Sequence, residues 1–113
     1  MDIVVTQIGA VTVVQPAEAR LDAMVAVVFK DRMKSTLEAG QDRVVLDLSA
    51  VGFLDSSGLG GVVAMMRFLR AGQVLELAGL TPAVDRVFRL TRMDTIFVIH
   101  PALPGEDGLR DAG

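Results

Sequence analysis

The chain of 113 residues has no cysteine, no tryptophan and no tyrosine, and a single histidine. Without thiols there is no disulfide framework, no thiol catalysis and no cysteine-held metal cluster, and a reducing compartment suits such a chain. Five Phe are the only aromatics, so the core must be built from Val, Leu, Ile, Met and Ala. Lys and Arg number 11 against 14 Asp and Glu, for a net charge of −3; the basic surplus of a nucleic-acid binder is missing. The longest stretch without charge, residues 3–17, is too short and too polar to span a bilayer. Met1-Asp2-Ile3 lacks the positive segment that opens a signal peptide. The expectation is a cytoplasmic protein that binds neither nucleic acid nor membrane. What the chain does have is 51% hydrophobic residues beside 22% charged ones, enough for one compact domain with a true core.

The order of elements follows from periodicity. Ile3–Thr6 and Val11–Val14 are β-branched runs around a Gly-bearing turn, which predicts a hairpin ended by Pro16. Val25, Phe29, Met33 and Leu37 recur every fourth residue, predicting a helix over 23–39 with Asp22 at its N-cap and Gly40 just past its end. Val44–Leu48 reads as a buried mid-sheet strand, and residues 49–55 as a loop. A second helix is expected over 57–71, its inner stripe being Leu59, Val62, Val63, Met66 and Leu69, with Gly72 closing it. Met65 and Phe68 fall off that stripe, as an exposed patch or, in the better reading, packed under a loop. Val74–Leu77 predicts a strand, Thr81-Pro82 a third helix with Val84, Val87 and Phe88 inward, and residues 95–99 a last strand. Residues 101–113 read as a loose tail. The pattern β-β-α-β-α-β-α-β implies an α/β domain over 1–100 with a central mixed sheet, its helices packed around it.

One segment stands apart: Phe53-Leu54-Asp55-Ser56-Ser57-Gly58-Leu59-Gly60-Gly61. Two hydroxyls follow an acid at a helix entrance, and three glycines occupy the first turns. Each glycine costs up to about 1 kcal/mol against alanine in a helix. Either a partner must approach the backbone here, or Ser56 or Ser57 is an ordinary N-cap and the glycines let helix and sheet pack tightly. The residues alone leave both readings open. Asp22 is likewise either a helix cap or a partner contact, and Asp47 either satisfied by loop amides or part of the same site. Arg86, Arg89 and Arg92 read as a solvated basic face near a helix end, and His100 stands without companions at metal or catalytic spacing.

Val44-Val45-Leu46-Asp47-Leu48-Ser49 followed by Leu54-Asp55-Ser56-Ser57-Gly58-Leu59-Gly60 resembles the signature of the STAS domain, and within that superfamily most of all the bacterial anti-sigma factor antagonists. Arg20-Leu21-Asp22 is similar to the Leu-Asp pair that opens the family's first helix, although Ala19-Arg20 stand where the family often has glycine and an acid. The resemblance, over residues 3–99, implies a STAS fold and a partner switch. Ser56 corresponds to the serine phosphorylated by an anti-sigma factor that is also a kinase, with Ser57 as second choice. The unmodified protein would bind that kinase and release a sigma factor, through a surface including Asp22, Asp55, Ser57 and Gly58; a serine phosphatase would restore it after phosphorylation. No catalytic residue, metal or cofactor of its own is implied. A response-regulator receiver domain fits poorly, because no acidic pair follows the first strands and His100-Pro101 stands where a Lys-Pro would be needed. The alternative is a STAS structural subunit of a multiprotein assembly, such as a stress-signalling particle or lipid-transport complex.

Overall fold

A computed structural model of the protein describes residues 1–103. Strand β1 (Ile3–Ile8) turns back into β2 (Val11–Pro16) over two residues, Gly9 and Ala10. Gly9 has φ +59°, the left-handed geometry such a turn requires. The chain continues through a two-residue strand β3 (Arg20–Leu21), helix α1 (Ala26–Ala39), β4 (Arg43–Asp47), a second two-residue strand β5 (Phe53–Leu54) and helix α2 (Ser56–Ala64). Then come β6 (Val74–Ala78), helix α3 (Pro82–Leu90) and β7 (Ile99–His100). The main sheet runs β1-β2-β4-β6-β7, antiparallel in its first pair and parallel thereafter. β3 and β5 form a separate parallel pair.

Alternation along the central strands divides the core. Val14, Val44, Leu46, Leu75 and Leu77 join Phe29, Met33 and Leu37 of α1, Val62 of α2, and Val84 and Phe88 of α3 in one cluster. Val11, Val13, Val45 and Ala78 make a second, smaller one that includes none of the helices' buried side chains, with Ile8 and Leu103 packed against it. All three helices thus bury their inner stripes on one face of the sheet. Each fully buried Leu, Phe or Met there contributes roughly 1.5–3 kcal/mol. No helix of the described residues is long and apolar enough to cross a membrane.

Several elements depart from expectation. α2 is short: at Met65 the chain tightens into a 3-10 turn through Phe68, and the change of pitch rotates the stripe. Met65 is fully buried in consequence, while Met66 is exposed. Gly72 does close this segment, at φ +84°. Gly40 ends α1 in extended rather than left-handed backbone. The last strand has only two residues, because Met93–Thr95 form another 3-10 turn and Phe97 turns inward, its ring edge-on to Phe88 at 6.2 Å. Thr81 stands at the N-cap of α3 but donates its hydroxyl to the Val51 carbonyl at 2.8 Å, tying the loop after β4 to that helix. Of the tail expected over 101–113, residues 104–113 lie outside the described residues.

Candidate functional site

The loop expected over 49–55 contains the element on which the site depends. β5 runs beside β3 in parallel register, Arg20 opposite Phe53 and Leu21 opposite Leu54. Both leucines are buried, which fixes the seam from beneath. Two-residue strands carry no usable periodicity, so nothing in the sequence announced the pairing. Its effect is to bring the entrance of α2 against the turn that leads into α1.

Asp55 closes that junction. Its backbone N–H donates to the Leu21 carbonyl at 3.3 Å. One carboxylate oxygen accepts from the Gly58 N–H at 2.9 Å, capping α2, and the other accepts from the Ala23 N–H at 3.3 Å. The cap role left open between Ser56 and Ser57 is therefore filled by Asp55. Both serines occupy the first turn of α2 with exposed side chains.

Gly58 explains one of the three glycines. A Cβ at this position would lie 2.0 Å from the Leu21 carbonyl oxygen and 2.8 Å from its carbon, so no other residue fits without displacing backbone. Gly61 sits where a Cβ would only touch the Phe29 ring at 3.4 Å, and Gly60 faces open space. Close packing against the seam accounts for Gly58, and packing accounts for nothing at Gly60.

Asp22 takes a different role from the helix cap expected of it. α1 begins at Ala26, with Val25 at its N-cap and no side-chain cap. Residues 23–25 are held in a separate turn by the Asp22 carboxylate, which accepts from the Met24 N–H at 3.0 Å, and by the Asp22 carbonyl, which accepts from Val25 and Ala26. With Ala23 engaged by Asp55, the start of the helix is pushed back by three residues. Asp22 also meets the Nε of Arg20 at 3.4 Å, and the Arg20 guanidinium lies 4.0 Å above the Phe53 ring. Asp22, Asp55, Ser56, Ser57 and Gly58 are thus gathered at one junction. Asp47 is not free to join them: it is buried and accepts from the Ser49 N–H at 3.0 Å.

Exposed apolar side chains surround this junction. Met24 is 88% exposed and Val27 66%, with Val28 and Phe53 also open. The first turn of α1, which carries Val27 and Val28, passes α2 at Gly61, near the Ala26 carbonyl. Four concavities of the described surface lie elsewhere, lined by none of Asp22, Asp55, Ser56 or Ser57. Exposed hydroxyls beside exposed apolar side chains make a surface of the kind that suits a macromolecular partner.

His100, read from the sequence as isolated, has a partner. Its Nε2 lies 2.9 Å from Glu76, which also accepts from Arg43 Nε and Nη2 at 3.1 and 2.9 Å. Burial pushes the Glu76 carboxyl up, but hydrogen bonds from His100 and Arg43 outweigh it and hold the group below its ordinary 4.5. This cluster lies on the sheet face opposite the helices.

The family model described as Mlab, STAS domain, matches residues 6–101. Among solved structures, an anti-sigma factor antagonist from Mycobacterium paratuberculosis is similar at 25% identity and a TM-score of 0.84, covering 97% of this chain and 93% of its own. A STAS domain protein from Planctomyces limnophilus shares 22% identity at 0.81, covering 98% and 97%. The Bacillus cell fate determinant SpoIIAA, in its phosphorylated form, shares 16% at 0.67, covering 99% and 100%.

Proposed function

Because the chain belongs to the STAS domain family, and because its Asp-Ser-Ser-Gly junction is an exposed surface with the cap role already filled, we propose that it acts as an anti-sigma factor antagonist switched by serine phosphorylation. In this reading Ser56 is the acceptor and Ser57 the second choice. The unmodified protein binds an anti-sigma factor serine kinase and so releases a sigma factor; a serine phosphatase reverses the modification. The observation that carries the reading is the Asp55 cap, which leaves the neighbouring hydroxyls on the surface. SpoIIAA, of the same fold, has been solved in both unphosphorylated and phosphorylated forms.

The physics of a phosphoryl group here favours a switch in binding over a switch in folding. It brings about −1.5 to −2 charges at pH 7. Ser56 sits where helix N–H groups and the helix dipole tolerate negative charge. A partner covering Met24, Val27 and Phe53 would have to desolvate that charge beside Asp22 and Asp55, at a cost of several kcal/mol.

Phosphosite mapping by mass spectrometry on protein drawn from its native cells, with co-purifying partners identified, tests this. Phosphate on Ser56 and a kinase-like partner on the unmodified fraction alone are the expected result. Ser56→Ala should bind that kinase permanently, and Ser56→Asp should lose most of the affinity, about tenfold or more, with its fold intact. Equal binding by Ser56→Asp and the wild type would sink the charge switch. A second reading is a STAS structural subunit of a larger multiprotein assembly. It predicts an unmodified chain in stoichiometric complex.

A further inference from the structure

The Arg20 side chain lies at the junction without an evident structural duty. It is 61% exposed, rests on the Phe53 ring at 4.0 Å and reaches Asp22 only at 3.4 Å. An exposed pair of that length contributes little to stability, so the guanidinium is cheaply redirected. Its direction matters. β3 and β5 are parallel, and Arg20 stands opposite Phe53. Its guanidinium carbon rests over Phe53, and its Nε meets Asp22, which follows Leu21 at the end of the seam where Ser56 begins α2. Phe53 and Ser56 are three residues apart, a span of at most about 10 Å, most of which an extended arginine facing an extended phosphoserine covers.

We propose that Arg20 is the built-in counter-ion for a phosphoryl group on Ser56, giving up Asp22 and the Phe53 ring to pair with it. This rests on the reading of Ser56 as the acceptor. A phosphoryl group outcompetes Asp22 because it carries up to twice the charge and offers three acceptor oxygens to a planar fork of donors. Without a cation, phosphate would face the Asp22 and Asp55 carboxylates unscreened. With Arg20 it is partly neutralised, and the exchange has a second effect. Phe53 loses its cover, and Asp22, which holds the Met24 amide at 3.0 Å, loses its ion-pair partner. Phosphorylation then alters the shape of the docking surface as well as its charge. Lys30 is the competing cation: its stem lies 3.7 Å from the place of a Cβ on Gly61, more than a helical turn beyond Ser56.

The test is a phosphorus NMR titration of the full chain with phosphoserine installed at position 56 by stop-codon suppression. It compares the wild-type background with Arg20→Gln, Arg20→Lys and Lys30→Gln. The second phosphate ionisation, ordinarily near about 6, should lie about half a pH unit lower in the wild-type background than in Arg20→Gln, the size expected of an exposed ion pair. Arg20→Lys should retain part of the shift, Lys30→Gln should retain all of it, and raising the salt to about 1 M should abolish it. Coincident titrations for wild type and Arg20→Gln, or a shift that follows Lys30, overturn the pairing. Because the phosphoserine is installed, a flat titration condemns the Arg20 pairing alone. Absence of phosphate from both serines in native cells condemns the acceptor reading instead.

Discussion

Two carboxylate clusters in this molecule are settled in opposite ways. At the α2 entrance, Asp22 and Asp55 spend their oxygens mainly on backbone N–H groups, at the surface and beside exposed hydroxyls. On the helix-free face of the sheet, Glu76 is met by a guanidinium and an imidazole, with only 17% of its side chain exposed. The first arrangement fixes backbone and leaves net negative charge near the surface. The second neutralises its charge internally and clips β4, β6 and β7 together. A carboxylate at a junction thus shapes backbone when its partners are amides, and fastens strands together when its partners are side chains.

The amide-held junction is most vulnerable at Gly58. Gly58→Ala drives a methyl group to 2.0 Å from the Leu21 carbonyl oxygen, and the expected loss is about 3 kcal/mol, at the upper end for overpacking, read from urea unfolding. A loss below about 1 kcal/mol would mean that the seam yields readily and does not hold the site. Next comes Asp55→Ala, which removes the α2 cap and the hold on Ala23 together; about 1–2 kcal/mol is expected from the cap, with faster hydrogen exchange at Gly58 and Ala23.

Glu76 tests the cation-held cluster through pH. Its carboxyl is held below 4.5 in the folded protein, so its contribution is present above the ordinary carboxylate range and is lost as pH falls through the lowered value. Urea midpoints followed from neutrality into that acid window should fall less steeply for Glu76→Gln than for the wild type, although the variant begins less stable at neutrality. An identical acid slope would show that the cluster is not a net fastening. The smallest effect is expected at Gly60. Gly60→Ala, with open space around the new methyl group, should stabilise the protein by roughly 0.5–1 kcal/mol. If Gly60→Ala also weakens kinase binding, that glycine serves the partner's approach.

Much of this is legible in the order of residues alone. The hairpin, the four-residue stripe of α1, the buried run of β4 and the Pro-led start of α3 each carry a strong local signal, and each is found. That Asp55, Ser56, Ser57 and Gly58 share one helix entrance is legible too, through the Asp-Ser-Ser-Gly spelling. What stays hidden are matters decided by tertiary contact. β3 and β5 are too short to show a pattern, and the identity of the α2 cap depends on how Asp55 meets Leu21. α1 begins late because Ala23 is engaged from 32 positions away. The stripe drawn across α2 fails at Met66 because periodicity assumes a constant pitch, and the 3-10 turn breaks it. The Arg43–Glu76–His100 cluster joins three strands, beyond the reach of any spacing rule.

The β3–β5 seam has a consequence for the order in which the protein comes into being. It closes a long loop around α1 and β4 with only two residues on each side, so its entropic cost cannot be met by local contacts alone. Its closure is favoured once the main sheet has brought its flanks together. While the seam is open, Asp55 lacks the Leu21 carbonyl and the Ala23 N–H that it meets in the folded domain. Only the completed domain, with the seam closed, holds Ser56 in the first turn of a capped α2.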